Sequence, residues 1–207
     1  MTQKILIPLF FALLLLTACK SEPPQENTVP EEVFNTYETA AYSLHLPDNY
    51  LGAEPGSPNL NVVVNWLSSN GYDAQGFSTF VQANAAEMLF VGVNTEQSLS
   101  NQLAYFTLSG GDKPQGFTVE QFMSSYTQSA SKETLLEHNQ KELGDKTVDV
   151  LLYEFANGET SYYDSFYFYI TDTQLWKFEF ISPKPDYSEK IEGFEQIVAD
   201  FVPRTGK

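Results

Sequence analysis

The chain has 207 residues, 42% of them hydrophobic, and its 27 acidic residues far outnumber its 11 basic ones. The net charge of −16 argues against nucleic acid or an anionic lipid surface as a partner, because each phosphate contact requires a scarce Lys or Arg. The length, with 16 Phe, 12 Tyr and 2 Trp, fits one domain with enough apolar area to form its own core.

A charged start and a short apolar run open the sequence. Lys4 is the only charged residue before position 20, and the apolar stretch that follows it ends at Leu16. An apolar run of roughly 10 to 14 residues is typical of a signal peptide, whereas a membrane-spanning helix needs about 20. We therefore predict that residues 1–18 are a secretory signal.

The signal ends in Leu16, Thr17, Ala18 and Cys19, which resembles the bacterial lipobox. In that motif diacylglycerol is attached to the thiol, the preceding bond is cut and an acyl chain is added. The resemblance implies that Cys19, the single cysteine of the chain, becomes a lipidated N-terminus. Two or three acyl chains form a stable membrane anchor. Lys20 is not the Asp that commonly retains such proteins in the inner membrane, so we expect the outer membrane, facing the periplasm, in a Gram-negative organism.

Residues 20–39 carry three prolines and five glutamates with few apolar residues. This composition predicts a disordered, charge-extended linker with an average span of about 25 Å. Residues 40–207 then form a single domain. Removal of Lys4 with the signal leaves 10 basic against 27 acidic residues, a net charge of −17.

The first half of the domain mixes strand and helix patterns. Alternation over residues 41–47 predicts a strand, and Ser57 before Pro58 is expected to cap a helix. A second short helix is predicted over 76–83. Strands follow over 87–94 and 102–109, with Gly110, Gly111 and Asp112 expected to end the second. Thr118 and Gln121 then resemble a capping box, which begins a helix to about residue 130.

The second half reads as four consecutive strands between residues 136 and 182, with turns at 144–145, 157–158 and 172–173. Asn-Gly at 157–158 is the strongest short hairpin signal. The third strand directs Phe and Tyr side chains to opposite faces, so both faces are expected to be covered. A final amphipathic helix is predicted to begin with Asp186 as its N-cap and to stop at Pro203. Together these elements predict an α+β fold with a central, mostly antiparallel sheet.

This order of elements resembles the PsbP-like α/β/α sandwich, a family that includes DcrB-like bacterial lipoproteins. The likeness is carried by residues 42–48 (YSLHLPD), 161–170 (SYYDSFYFYI) and 191–201 (IEGFEQIVADF), and it covers residues 40–202. Residues 56–94 depart from the plant-type pattern, which leaves the strand order there open. The resemblance implies an accessory or binding domain without catalysis.

Motifs for catalysis are weak. His45 and His138 have no Cys or HxxxH companion, and a zinc site needs three or four ligands, so both are interpreted as structural or surface residues. The chain has no Gly-x-Ser-x-Gly elbow and no phosphate-binding glycine loop. We predict no metal site and no cofactor other than the lipid on Cys19.

Acidic residues on the strands leave an alternative open. Asp149, Glu154, Asp164 and Glu179 lie on predicted neighbouring strands, and a carboxyl pair about 5 to 9 Å apart is what glycoside hydrolysis needs. With 27 acidic residues, such proximity also arises by chance. Cation binding by Asp145, Asp164 or Asp172 is a further alternative to plain solvated surface.

Tyrosines of the third meander strand are candidates for contact with a partner. Tyr163, Tyr167 and Tyr169 form one face, which is either a binding platform or a core face beneath a helix. Tyr162 and Tyr163, near the start of the strand, are the candidates for an exposed binding surface.

These observations favour a non-enzymatic, lipid-anchored envelope protein that is held at the membrane by Cys19 and supports or binds a protein partner. The alternative is an envelope hydrolase or carbohydrate-acting enzyme that uses strand carboxylates. A cleft with convergent carboxylates or a Ser-His pair would favour the enzyme.

Overall fold

The structure, a computed structural model, describes residues 36–130 and 132–204. The predicted signal and lipobox, Leu16, Thr17, Ala18 and Cys19, lie outside the described residues, as does most of the predicted linker. The fold below therefore concerns the predicted domain and the end of the linker.

The described residues form ten strands and four helices. In chain order these are β1 (Thr36–Glu38), β2 (Tyr42–His45), β3 (Tyr50–Ala53), α1 (Leu60–Ser69), α2 (Ala74–Asn84), β4 (Phe90–Asn94), β5 (Tyr105–Asp112), α3 (Val119–Ser129), β6 (Thr134–Leu143), β7 (Lys146–Asn157), β8 (Thr160–Ile170), β9 (Gln174–Pro183), α4 (Tyr187–Asp200) and β10 (Val202–Pro203).

A seven-stranded sheet forms the centre, in the order β3-β4-β5-β9-β8-β7-β6, and its neighbouring strands pair antiparallel. The predicted meander is confirmed as β6 to β9. Gly144 and Gly158 occupy its first two turns with φ of 62° and 64°. This left-handed conformation suits a two-residue hairpin turn and is open to glycine at little cost.

A second sheet has three strands in the order β1-β2-β10. Its first strand, Thr36–Glu38, falls within the segment predicted as a disordered linker, so ordered structure begins earlier than expected. Tyr37 explains the difference, because its hydroxyl donates a 2.6 Å hydrogen bond to the carbonyl of Gly52 and its ring contacts Phe90, with ring centroids 4.6 Å apart.

The two faces of the central sheet are covered by different elements. Trp176, Phe178 and Phe180 of β9 pack with α4 and the small sheet, where Phe180 stacks on Phe194 with 4.7 Å between ring centroids. The opposite face packs against α3 through a cluster that includes Phe166 and Phe168. Helix α2 lies on this opposite face as well, since its aromatic rings contact Tyr105 of β5.

Several local expectations are corrected. The N-cap of α1 is Asn59, and Ser57 lies two residues before it and does not cap the helix. Strand β5 continues through Gly110 to Asp112, whereas the sequence predicts that the strand ends at these residues. Gly110 fits within the strand because the ring of Trp176 occupies the space that a Cβ atom would need.

Other expectations are confirmed. Thr118 caps α3 by accepting a 3.2 Å hydrogen bond from the backbone N–H of Gln121. The α+β class with a central antiparallel sheet is also confirmed. Among the described helices, none has the length and apolar character needed to cross a membrane.

Candidate binding groove

Helices α2 and α3 leave a gap between them over the middle of the sheet, and we call this gap the α2–α3 groove. Its floor comes from β5 and β9, which are paired so that Thr107 lies opposite Glu179 and Ser109 opposite Lys177. These four side chains share one face of the sheet because strand residues alternate. Two cavities, of about 310 and 140 Å³, meet at Ser109 and Lys177.

An ion pair lies on this floor. Lys177 Nζ donates a 3.0 Å hydrogen bond to Glu179 Oε2, and both side chains are only about a quarter exposed, at 26% and 23%. The ammonium group also lies over the rings of Phe122 and Phe166, at 5.9 and 5.3 Å from their centroids. Lys177 is thus held between a carboxylate and two aromatic faces, which attract cations.

The larger cavity has mostly apolar walls. Its aromatic and aliphatic lining is supplied by Phe117, Phe122, Phe168 and Leu175. Gly111 lies in the same lining with φ of 149°, and the space beside its Cα is open. A cavity of about 310 Å³ lies at the lower end of the size range of small-molecule sites, roughly 300 to 1,000 Å³, and accepts one large apolar side chain.

Beside the groove, three acidic residues converge beneath the end of α3. The hydroxyl of Tyr126 lies 2.8 Å from Glu133 Oε2 and 2.8 Å from Asp164 Oδ2. Asp164 is 2% exposed, and its second oxygen, Oδ1, is buried without a hydrogen-bond partner among the described residues. Glu179 contributes a further negative charge to this cluster.

The electrostatics of this cluster favour protonated acids. Burial raises the pKa of Asp164 well above its ordinary value, and the charge of Glu179 raises it further. Burial also raises the pKa of Glu133 and of the Tyr126 hydroxyl. The cause is the same in each case, because removal from water disfavours the charged form.

The structure brings together only two of the four predicted strand carboxylates. Asp164 and Glu179 are diagonal neighbours across β8 and β9, since Asp164 pairs with Ile181 and Phe166 pairs with Glu179. Asp149 instead accepts a 3.0 Å hydrogen bond from Gln140. Glu154 is on the opposite face of the sheet and forms a 2.7 Å ion pair with Lys184.

The other candidate ligands are dispersed. Asp145 forms a 3.0 Å ion pair with Lys146, and Asp172 is in the exposed turn between β8 and β9. Nδ1 of His45 lies 3.0 Å from the hydroxyl of Thr36, and His138 lies on β6. Within residues 36–130 and 132–204, no group of three or more His, Cys, Asp or Glu side chains is arranged to hold a metal ion.

The tyrosine candidates lie on different faces. Tyr162 stacks on Phe155 at 5.2 Å, and its hydroxyl donates a 3.1 Å hydrogen bond to Gln102. Tyr163, the next residue in the strand, packs edge-on against Tyr187 and has Lys184 above its ring. Both are partly exposed, whereas Tyr167 is fully buried as core. Tyr162 and Tyr163 therefore do not form one continuous surface.

Sequence reasoning missed Lys177 and the hydroxyls of Thr107 and Ser109. Alternation within β9 puts Lys177 and Glu179 on one face, but the sequence alone does not identify the partner strand. Only the pairing of β5 with β9, two strands far apart in the chain, puts Ser109 beside Lys177.

Comparisons with known proteins extend the result at the level of fold. No family model and no curated protein sequence matches the chain. LpqN, a Mycobacterium tuberculosis protein involved in cell envelope biogenesis, is similar over 79% of this chain and 83% of its own, with a TM-score of 0.50 and 8% identity. The solution structure of PsbP from the cyanobacterium Synechocystis is similar over 81% and 91%, with a TM-score of 0.49 and 11% identity.

At such identities the likeness to LpqN is one of fold alone. Membership of the PsbP-like family, and a relationship to its DcrB-like lipoproteins, stay predictions.

Proposed function

We propose that this chain is a non-enzymatic, lipid-anchored cell-envelope protein whose α2–α3 groove binds a peptide segment of a protein partner. The observation that carries the proposal is the composition of the groove, in which a half-buried Lys177–Glu179 pair adjoins an aromatic cavity. LpqN, a protein involved in cell envelope biogenesis, is similar in fold, which is compatible with a role in the envelope.

The floor of the groove offers both donors and acceptors. Lys177 donates, Glu179 accepts, and the hydroxyls of Thr107 and Ser109 do either. A peptide backbone presents N–H and C=O groups together, so such a floor matches it better than it matches a ligand with one kind of polar group. The aromatic walls then accept one apolar side chain of the segment, as in many peptide-binding grooves.

The enzymatic alternative has less support. Asp164 and Glu179 are brought near each other, but Asp164 is 2% exposed and lies beneath Tyr126. A catalytic carboxyl must come within about 3 Å of the group it protonates or attacks, and Asp164 cannot reach a substrate in this conformation.

Photocrosslinking in the intact envelope tests the groove. A photoreactive amino acid at Asn84 or Asp112, two exposed residues that line the cavities, is expected to capture one defined partner. The same amino acid at Gln196, exposed on α4 on the opposite face of the sheet, serves as the control. Equal capture of that partner from Gln196 would contradict a role for the groove.

A charge reversal sharpens the test. Lys177→Glu places two negative charges on the groove floor and removes its ammonium donor, so the yield of the Asn84 crosslink is expected to fall about tenfold, the effect of roughly 1.4 kcal/mol. Circular dichroism checks that the variant remains folded. An unchanged yield in a folded variant would exclude this floor from the contact.

The anchor has its own test. Cys19→Ser is expected to abolish metabolic lipid labelling and to release the protein from the membrane fraction. Recovery of the Cys19→Ser protein in the membrane pellet, still labelled with lipid, would disprove the lipidation of this residue.

A further inference from the structure

Two carboxyl groups contact one tyrosine hydroxyl beneath the end of α3. The hydroxyl of Tyr126 is 2.8 Å from Asp164 Oδ2 and 2.8 Å from Glu133 Oε2, but a phenol carries only one hydrogen to donate. The second contact is a hydrogen bond only if one of the two carboxyl groups is protonated and donates to the phenolic oxygen. Two hydrogen bonds at this oxygen therefore need one more proton than two carboxylates and a tyrosine provide.

We propose that Asp164 and Glu133 share one proton through the hydroxyl of Tyr126, and that this proton holds α3 in place as a wall of the α2–α3 groove. The part that concerns the groove rests on the proposed function, whereas the shared proton does not.

The surroundings of Asp164 support a neutral carboxyl group. It is 2% exposed, its Oδ1 atom has no hydrogen-bond partner among the described residues, and a buried carboxylate in that position is strongly disfavoured. The direction of the pKa shifts agrees, since burial raises the pKa of both Asp164 and Glu133.

Other charged and titratable groups face the cluster from each neighbouring strand. Glu179 on β9 adds negative charge and favours the proton, whereas Lys177 on the same strand opposes it and is already paired with Glu179. Tyr153 on β7 packs its ring against Tyr126, and Tyr105 on β5 interacts electrostatically with Asp164. Lys177 is thus the one cation that acts on Asp164 among these described neighbours.

A direct packing contact joins the shared proton to the groove. Tyr126 stacks on Phe122, one helical turn earlier in α3, with 5.5 Å between ring centroids and 15° between ring planes. Phe122 in turn lines the larger cavity and lies beneath the ammonium group of Lys177. Loss of the proton places two negative charges around one phenol and weakens the hold on Tyr126, and with it the position of Phe122.

Hydrogen exchange tests this coupling on the full chain purified from its own host. If the carboxyl cluster binds its proton ten times more tightly when α3 is docked than when it is undocked, loss of that proton raises the equilibrium constant for opening α3 tenfold. After correction for intrinsic rates, we expect the opening constant of α3 to rise at least about tenfold from pH 5 to pH 8, relative to that of α4.

Asp164→Asn keeps the shape of the side chain but cannot ionise, so the rise in the opening constant of α3 from pH 5 to pH 8 is expected to be smaller in this variant, where Glu133 is the remaining carboxyl group at the Tyr126 hydroxyl. Asp172→Asn, at an exposed turn, is the matched control and should retain the wild-type pH dependence. A wild-type α3 that opens independently of pH, or an Asp164→Asn protein that keeps the full wild-type dependence, would overturn the proposal.

Carbon-13 NMR of the side-chain carboxyl groups tests the shared proton directly, even if Asp164→Asn fails to fold. We expect Asp164 or Glu133 of the wild-type protein to titrate well above the ordinary range of an acidic side chain, because burial raises the pKa of both. Ionisation of both groups within that ordinary range would refute the shared proton. None of these measurements needs a partner. Absence of crosslinking from Asn84 at every pH would therefore count against the proposed function but would not contradict the shared proton.

Discussion

The hydroxyl of Ser98 donates a 2.6 Å hydrogen bond to the carboxylate of Asp186, 88 residues further along the chain. The same carboxylate accepts from the backbone N–H of Leu99 at 2.7 Å and from the hydroxyl of Ser100 at 2.9 Å. Asp186 lies at the predicted N-cap of α4 but makes no side-chain cap bond there. Its side chain instead fixes the loop between β4 and β5 to the start of the helix.

Asp186→Ala is therefore expected to lower the free energy of unfolding by about 2–4 kcal/mol, because hydrogen bonds to a charged acceptor contribute roughly 1.5–3 kcal/mol and the buried Ser98 hydroxyl loses its acceptor. Urea denaturation followed by tryptophan fluorescence measures the change. Glu192→Ala, an exposed carboxylate on the same helix, is the matched control and should change stability by less than about 0.5 kcal/mol. Equal effects of the two substitutions would contradict the role of the loop contacts.

The acid side of the stability profile should depend on the same residue. Burial alone would raise the pKa of Asp186, but hydrogen bonds from Ser98, Leu99 and Ser100 together outweigh it and hold the pKa below its ordinary value. The folded state thus binds this proton more weakly than the unfolded state. The stabilisation is present above about pH 4 and is lost as pH falls through the folded pKa. Unfolding measured between pH 2 and 5 should show this loss in the wild type and a weaker one in Asp186→Ala.

Asp164 and Glu133 should act with the opposite sign. Burial raises both pKa values, so the folded state binds the proton more tightly than the unfolded state. Their contribution is complete below about pH 4 and is lost as pH rises through the folded pKa values. We expect Asp164→Asn to gain stability relative to the wild type on going from pH 4 to pH 8. A stability difference that stays constant over this range would contradict the assignment.

Elements with strong periodicity were predictable from the sequence. The meander and α4 follow from alternation and from a helical apolar face, because both patterns report which side chains are buried within one element. The Asn-Gly signal likewise located the turn at Gly158. These local patterns are enough to predict the fold class.

Features that depend on distant residues were not predictable. The local sequence predicts that the strand ends at Gly110, because the ring of Trp176 that fills the space beside this glycine lies on another strand. The local pattern likewise predicts that the side chain of Asp186 caps its own helix, since nothing in that pattern points to Ser98. The groove itself exists only because β5 pairs with β9 while α2 and α3 stand apart.

Phe194 is the residue of α4 on which the main core depends most clearly. It is fully buried and contacts the rings of Phe106, Tyr167 and Phe180, with centroids 5.8, 5.1 and 4.7 Å away. Phe194→Ala should lower the free energy of unfolding by about 3–5 kcal/mol, because the transfer free energy of the ring is lost and a cavity is left behind. Leu99→Ala removes an apolar side chain that is 69% exposed and should cost less than about 0.5 kcal/mol. Urea denaturation compares the two, and similar costs would place Phe194 outside the core.

Two glycines should respond to alanine with opposite signs. Gly92 lies in β4, where an added methyl group would overlap the ring of the buried Phe106, and Gly92→Ala should destabilise by about 1–3 kcal/mol or more. Gly193 lies within α4, where the nearest atom to an added methyl group is 3.4 Å away on Tyr50. Because alanine is about 0.5–1 kcal/mol more favourable than glycine inside a helix, Gly193→Ala should stabilise by up to that amount. Thermal unfolding distinguishes the cases, and a loss of stability in Gly193→Ala would mean that α4 packs more tightly on Tyr50 than the 3.4 Å separation indicates.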